Sequence, residues 1–318
     1  MRVTQKMLGW QTLNSINNNL SRIQKIQEHI NTGKKINRPS DDPVGLSYSL
    51  RYRSEIRATE QYQRNLDSAI SWLDVTDTTL SQVNDVLQRA RELAVKGANG
   101  TNPDQALEAI AAEMDELADE LWEIANTRFN GKYIFNGQRT DQPPYPFPHS
   151  YLGDEHAGDS FDKGQIKFEV SRGVTVQVNF HAGEIFGSVV PGDGGDPPKP
   201  AENVDADEDN AFYILQTLSQ ALRDADFEAV DDMLGRLDAR IDKVLEKWSE
   251  LGAKRNRVDL IEHRLQDNDL NIQALLSKTE DVDYAEAITN LKMEENVYMA
   301  SLSVGARIIQ PSLIDFLR

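Results

Sequence analysis

Five histidines, His29, His149, His156, His181 and His263, are the residues most able to ligate a metal or shuttle a proton. None stands in an HExxH pattern or four residues from another histidine, so the sequence offers no pair on one helix face to hold zinc. Asp154-Glu155-His156 with Asp159 comes nearest to a ligand cluster, but it lies in a Gly-rich stretch without a second set of polar partners. Asp205, Asp207 and Asp209 imitate the first ligands of a calcium loop. The sixth position, however, is Asn210 where a glycine is needed, and the twelfth is Gln216 where a bidentate glutamate is needed. No GxxxxGK[ST] phosphate cradle and no GxSxG nucleophile turn occurs. The expectation is therefore a chain without catalytic residues, metal or cofactor.

Composition narrows the partners. Against 52 Asp and Glu stand 34 Lys and Arg, a net charge of -18, which repels phosphate backbones and anionic lipid. Nucleic acid and membranes are poor partners for such a surface. There is no cysteine, so neither disulfides nor thiolate metal sites are available. The opening MRVTQKMLGWQTLN lacks the 7–15-residue apolar core of a cleaved signal peptide. Nor is there a run of about 18 apolar residues that could span a bilayer. Secretion, if it occurs, is expected to use a route without a cleaved signal.

The elements are legible from periodicity. Leu66, Leu73, Leu80, Leu87 and Ala94 recur every seven residues, with Ala69, Thr76, Val83 and Ala90 between them. Burying the four leucines contributes roughly 6–12 kcal/mol gross, against ~0–1 for an exposed ion pair, so this seam dictates packing. Leu237, Val244, Leu251, Val258, Leu265 and Ile272 form a second seam, flanked by Leu234, Ile241, Trp248 and Leu276. Arg255, Glu262 and Asp269 interrupt the flanking row, which predicts a narrow buried stripe at one end. Weaker stripes run along both chain ends: Leu13, Ile16, Leu20, Ile23 and Ile30, then Tyr284, Ile288, Leu291, Tyr298, Leu302 and Ile309. Single helices of this kind need a packing partner, so the two ends are expected to pair with each other or with other chains.

Helix starts are expected at Asp42-Pro43 and at Asn102-Pro103, each a capping side chain followed by a proline. A third start is expected from the acidic stretch 205–209. Between Asp141 and Pro200, Pro, Gly and aromatics dominate, and alternation across 166–170 and 174–180 predicts a hairpin turning at Ser171-Arg172-Gly173. The fold class is mainly α: an elongated rod of long coiled-coil-like helices, paired N- and C-terminal helices and a small β-rich insert. The expected division is 1–36 with 281–318 as paired terminal helices, 37–140 with 201–280 as a central helical bundle carrying a short β-hairpin, and 141–200 as the insert.

Several motifs resemble the flagellin superfamily, and more closely its hook-filament junction proteins. Asn37 to Leu46, NRPSDDPVGL, is similar to the family's turn after the first terminal helix, with Asp41 and Asp42 in place of its paired aspartates. Arg91-Glu92-Leu93-Ala94-Val95 with Asn99-Gly100-Thr101 resembles its break between long helices. Asn126-Thr127-Arg128-Phe129-Asn130-Gly131-Lys132 is similar to its lead into the first strand. Tyr133-Ile134-Phe135-Asn136-Gly137, Thr140-Asp141 and Pro143-Pro144 favour the junction proteins over filament flagellin, as does the proline after Asp41-Asp42. Asp281, Asp283-Tyr284-Ala285 and the closing Ser312-Leu313-Ile314-Asp315-Phe316-Leu317 resemble the C-terminal helix.

The resemblance implies terminal helices in an inner assembly layer and an insert facing outward. It implies export as an unfolded chain through the flagellar type III apparatus, so a cytoplasmic stage followed by an extracellular one at the hook-filament junction. It implies four partners: other copies of the chain, an adjoining hook-associated protein, flagellin, and an export chaperone at the C-terminal region. Filament flagellin and an unrelated coiled-coil interaction protein are the alternatives.

Overall fold

The computed structural model describes residues 5–99, 102–145, 162–187 and 210–309. The chain is mainly α, and its residues group into two compact units, 60–265 and the two terminal segments 1–59 and 266–318. The helices are α1 (Gln5–Thr32), α2 (Pro43–Gly97), α3 (Asp104–Ala125), α4 (Ala182–Phe186), α5 (Ala211–Arg223), α6 (Phe227–Glu280) and α7 (Tyr284–Ile309). Two antiparallel hairpins accompany them, β1 (Arg128–Phe129) with β2 (Lys132–Tyr133), and β3 (Lys167–Ser171) with β4 (Val174–Gln177).

In the central unit, the α2 seam is buried throughout: Leu66, Ala69, Leu80, Val83, Leu87, Ala90 and Ala94 are shut off from solvent, and Leu73 and Thr76 nearly so. Leu237, Val244, Leu251, Val258 and Leu265 of α6 join the same core, together with α3 and α5. The interruption at Arg255 has a physical reason: its guanidinium reaches across to Asp74 on α2 and along its own helix to Asp259 at 3.2 Å. Seven residues earlier, Trp248 Nε1 donates to Asp77 at 2.6 Å. Polar side chains at these flanking positions thus tie α6 to α2 where apolar ones would have packed.

α3 and α5 pack on each other, with Ser219 Oγ donating to the Ala111 carbonyl at 3.3 Å. Around them Trp122, Phe135, Tyr145, Phe186 and Phe212 form an aromatic cluster, the closest rings being Tyr145 and Phe212 at 4.9 Å. Phe186 and Phe212 stack, while Phe212 meets Trp122 and Tyr145, and Phe186 meets Phe135, edge-on; both arrangements add to the area they bury. The β3–β4 hairpin turns at the predicted residues, pairs Phe168 with Val176 and carries a register shift between Glu169 and Ser171. Its buried Val170 and Val176, with Val178 and Phe180 beyond, belong to the helical core, and Lys254 of α6 lies over the Phe180 ring at 4.0 Å.

Two predicted helix starts differ. α3 begins at Asp104 behind Pro103, whose carbonyl accepts from Ala106 and Leu107; the Asn102 side chain instead donates back to the Lys96 carbonyl at 2.6 Å, closing the loop from α2. α5 begins at Ala211, capped by buried Asn210, whose Oδ1 accepts from the Phe212 N–H at 2.9 Å. The residue unsuited to a calcium loop is therefore the helix cap. The acidic stretch 205–209, His149, His156, Asp154, Glu155, Asp159, and the closing residues including Phe316 and Leu317 lie outside the described residues.

Candidate assembly surface

In the terminal unit, α1 and α7 pack antiparallel. Asn19 Nδ2 donates to Ser301 Oγ at 3.0 Å, and Arg22 Nε to Glu294 Oε1 at 3.1 Å. Further along, a Cβ on Gly305 would lie 3.3 Å from the Thr12 methyl and 3.4 Å from Ile16 Cδ1, so the helices approach closely there. A glycine inside a helical pattern is the sequence signal for such an approach. A shallow groove beside it is lined by Gln11, Thr12, Ser15, Val297, Ala300 and Val304.

The turn after α1 is held by the two aspartates. Asp41 Oδ2 accepts from the backbone N–H groups of Arg38 at 2.9 Å and Asn37 at 3.2 Å, and Oδ1 meets Lys25 Nζ at 2.9 Å. The Lys25 hydrogen bond and those backbone donors lower its pKa to about 2. Asp42 Oδ1 accepts from Val44 at 3.0 Å and Gly45 at 2.9 Å, capping α2 with Pro43 as its first residue. In the central unit, Asn130 (φ 51°) and Gly131 (φ 78°) are both left-handed and form the two-residue turn between β1 and β2. Asn-Gly suits this turn because both residues tolerate positive φ.

A polar clasp joins the chain ends, and nothing in the periodicity announces it. Lys35 N–H donates to the Glu280 carbonyl at 2.7 Å, and Val282 N–H to the Gly33 carbonyl at 3.0 Å. The Glu280 carboxylate is buried, receives Lys34 Nζ at 2.6 Å and is bridged by two nitrogens of Arg53. Burial pushes its pKa up, but the Lys34 and Arg53 hydrogen bonds outweigh this and hold it below the ordinary carboxylate value. Asp283 then caps α7, its Oδ1 accepting from Ala285 at 2.9 Å.

Of the described stripe residues, only Ile23 is buried; Ile16, Ile30, Leu291 and Tyr298 are half-buried. Leu13, Leu20, Tyr284, Ile288 and Leu302 are exposed, as are Met7, Trp10, Met293, Val297, Met299 and Val304 beside them. Ile309 closes α7, and its side chain lies outside the description. Among the described residues, sixteen of the twenty exposed large apolar side chains lie in the terminal unit, which holds only four of the 51 buried apolar residues of any size, Ile23, Ile36, Ile272 and Ala287. Pairing α1 with α7 therefore covers only part of their apolar surface. Among the described residues, no group of three or more His, Asp or Glu is placed to hold a metal ion, and no helix is long and apolar enough to cross a membrane.

The comparisons with known proteins agree with this architecture. The "Flagellar hook-associated protein 3" of Salmonella typhimurium is 26% identical over 312 residues, 95% of each chain. "Flagellin" of Bacillus subtilis is 27% identical over 313 residues, 98% of this chain and 97% of that one. Among solved structures, a putative flagellar hook-associated protein from Vibrio parahaemolyticus shares the fold, with a TM-score of 0.63 and 22% identity over 76% of this chain and all of that one. Bacillus cereus FlgL does so with a TM-score of 0.55 and 21% identity over 71% of this chain and 99% of that one. A model of the bacterial flagellin N-terminal helical region matches residues 3–140, and one of the flagellin C-terminal helical region matches residues 234–317. The chain belongs to the bacterial flagellin family.

Proposed function

We propose that the chain is a non-enzymatic adaptor subunit of the bacterial flagellum that joins hook to filament as a ring. The observation that carries the reading is the terminal unit's uncovered apolar surface, laid out on a helix pair whose own contacts are partly polar. Leu13, Ile16, Leu20, Ile23 and Ile30 on α1 and Tyr284, Ile288, Leu291, Tyr298, Leu302 and Ile309 on α7 and at its end supply the pairing and the contacts to neighbouring subunits. Asp41 and Asp42 fix the turn that leads from α1 to α2, Asn130 and Gly131 fix the first hairpin, and Phe316 and Leu317 complete the terminal segment.

In this reading, residues 1–36 and 281–318 form the inner layer, 37–140 and 201–280 the next, and 141–200 the outward insert, rooted in the helical core by Val170, Val176, Val178 and Phe180. The partners are other copies of the chain, a hook-associated protein on one side and flagellin on the other. A chaperone holds the C-terminal region before export, and the chain passes unfolded from cytoplasm to the extracellular junction. The match to hook-associated protein 3 along nearly the whole length favours the junction; the similar match to Bacillus subtilis flagellin keeps the filament subunit as a second reading.

Deletion of the gene, followed by electron microscopy and a blot of the medium for flagellin, tests it. Hooks without filaments, with flagellin released into the medium, are expected. Normal filaments would sink the assignment, and absent filaments with no flagellin in the medium would identify this chain as the filament subunit.

A further inference from the structure

Charge and apolar exposure are segregated between the two units. Residues 60–265 hold 20 Lys and Arg against 39 Asp and Glu, a net -19, whereas residues 1–59 and 266–318 hold 14 against 13, a net +1. Among the described residues, exposed large apolar side chains run the other way: only Val95, Phe227, Leu245 and Leu260 belong to the central unit. Adhesive surface and repulsive charge thus occupy different parts of one chain.

The imbalance is steepest on α3, which carries eight carboxylates and no Lys or Arg in 22 residues. Its inner face, with Leu107, Ile110, Met114 and Leu121, is buried. Neighbouring helices match some of the acids: Arg89 meets Glu113, and Arg223 meets Glu108 and Asp115. Glu116, Glu120 and Glu123 are exposed and take no ion pair among the described residues. Spaced four and three apart, they share one helix face, where like charges disfavour the helix. Packing and capping give no reason for the row.

We infer that the charge of the central unit is a brake on growth by copies of this same chain. A second copy is drawn on through the terminal unit and opposed through the central one, so a less acidic subunit is accepted beside it more readily. The inference rests on the adhesive role proposed for the terminal unit. It also answers a need of that role, since an interface between identical subunits that does not close on itself otherwise grows into a filament. Net charge far from zero keeps proteins apart in this way, and salt releases it. The screening length falls from about 30 Å at 0.01 M to about 3 Å at 1 M, while apolar contacts are not weakened by salt.

The test is sedimentation of the purified full-length chain in 0.01, 0.15 and 1 M NaCl, beside the triple variant E116Q/E120Q/E123Q. Self-association is expected to strengthen about tenfold or more from the lowest to the highest salt. The triple variant is expected to associate more tightly than the unaltered chain at 0.01 M and to respond less to salt, with an unchanged circular dichroism spectrum. The salt series on the unaltered chain stands whether or not that variant folds. A flat or falling salt dependence, a monomer at every salt concentration, or a folded triple variant matching the unaltered chain at 0.01 M overturns the brake. None of these results would change the deletion phenotype, and a deletion strain with normal filaments would leave the salt dependence as it is.

Discussion

Replacing Leu302 with aspartate separates assembly from folding. Leu302 is 42% exposed on α7, so the part of it a neighbouring subunit can still cover is less than half of a leucine side chain. Full burial of a leucine contributes ~1.5–3 kcal/mol, which makes the lost intermolecular gain ~0.6–1.3 kcal/mol. The larger effect is the carboxylate: in the isolated chain it reaches water, but under a neighbour it is an unpaired charge, at a cost of about 3–5 kcal/mol. Together the two terms weaken each contact by about 4–6 kcal/mol, a factor of roughly 10³–10⁴ in association. The central unit contains no part of α7, so its melting transition should not move. Ile288, 49% exposed, should behave in the same way. Calorimetry of the monomer beside filament restoration in a deletion strain reads both quantities. A central melting transition that falls in step with assembly would refute the division of labour.

Leu80→Ala should do the opposite, because Leu80 is fully buried in the α2 seam: a loss of about 2–5 kcal/mol, read as a lower urea midpoint of the central unit. Glu280→Gln removes the charge that Lys34 and Arg53 clasp, and these half-exposed cations can rehydrate, so the terminal unit should lose about 1–3 kcal/mol, read by hydrogen exchange at Lys35 and Val282. Acid should loosen the same unit: the folded-state pKa values of Asp41 and Glu280 are lowered, so their stabilisation is present above the ordinary carboxylate pKa. It is lost as pH falls through the folded values, for Asp41 from about 4 towards about 2; protection of the terminal amides that rises over that interval would contradict the sign. Gly131→Ala forces a side chain into positive φ at about 1–2 kcal/mol, which calorimetry should show as a lower melting temperature of the central unit.

The helical seams were legible because a seven-residue apolar repeat has one solution, a buried stripe, and every member from Leu66 to Ala94 follows it. Asp42 and Pro43 were legible as a helix start for a similar reason, since cap and first turn are local. The polar members were not. Arg255 looked like a gap in a stripe, whereas its guanidinium spans to Asp74, and a carboxylate some 180 residues away leaves no local trace. Asn102 and Asn210 show that the residue type alone does not mark a cap: Asn210 donates Nδ2 to the Gly187 carbonyl and caps α5 through Oδ1, whereas Asn102 turns its Nδ2 back to the Lys96 carbonyl and Pro103 takes the cap position of α3. The Glu280 clasp combines both difficulties, joining residues 34, 53 and 280 through a charge that its position after a helical run would place in solvent. At the candidate surface, periodicity located the stripes on α1 and α7 but could not divide their residues between pairing and exposure. That division depends on small and polar residues, Gly305, Asn19 and Ser301, which set how closely the helices approach.

Immunogold labelling of sheared flagella with an antibody against this chain separates a junction subunit from a filament subunit. A single narrow band of label where hook meets filament is expected. Label distributed along the filament would contradict it and make the chain a filament subunit.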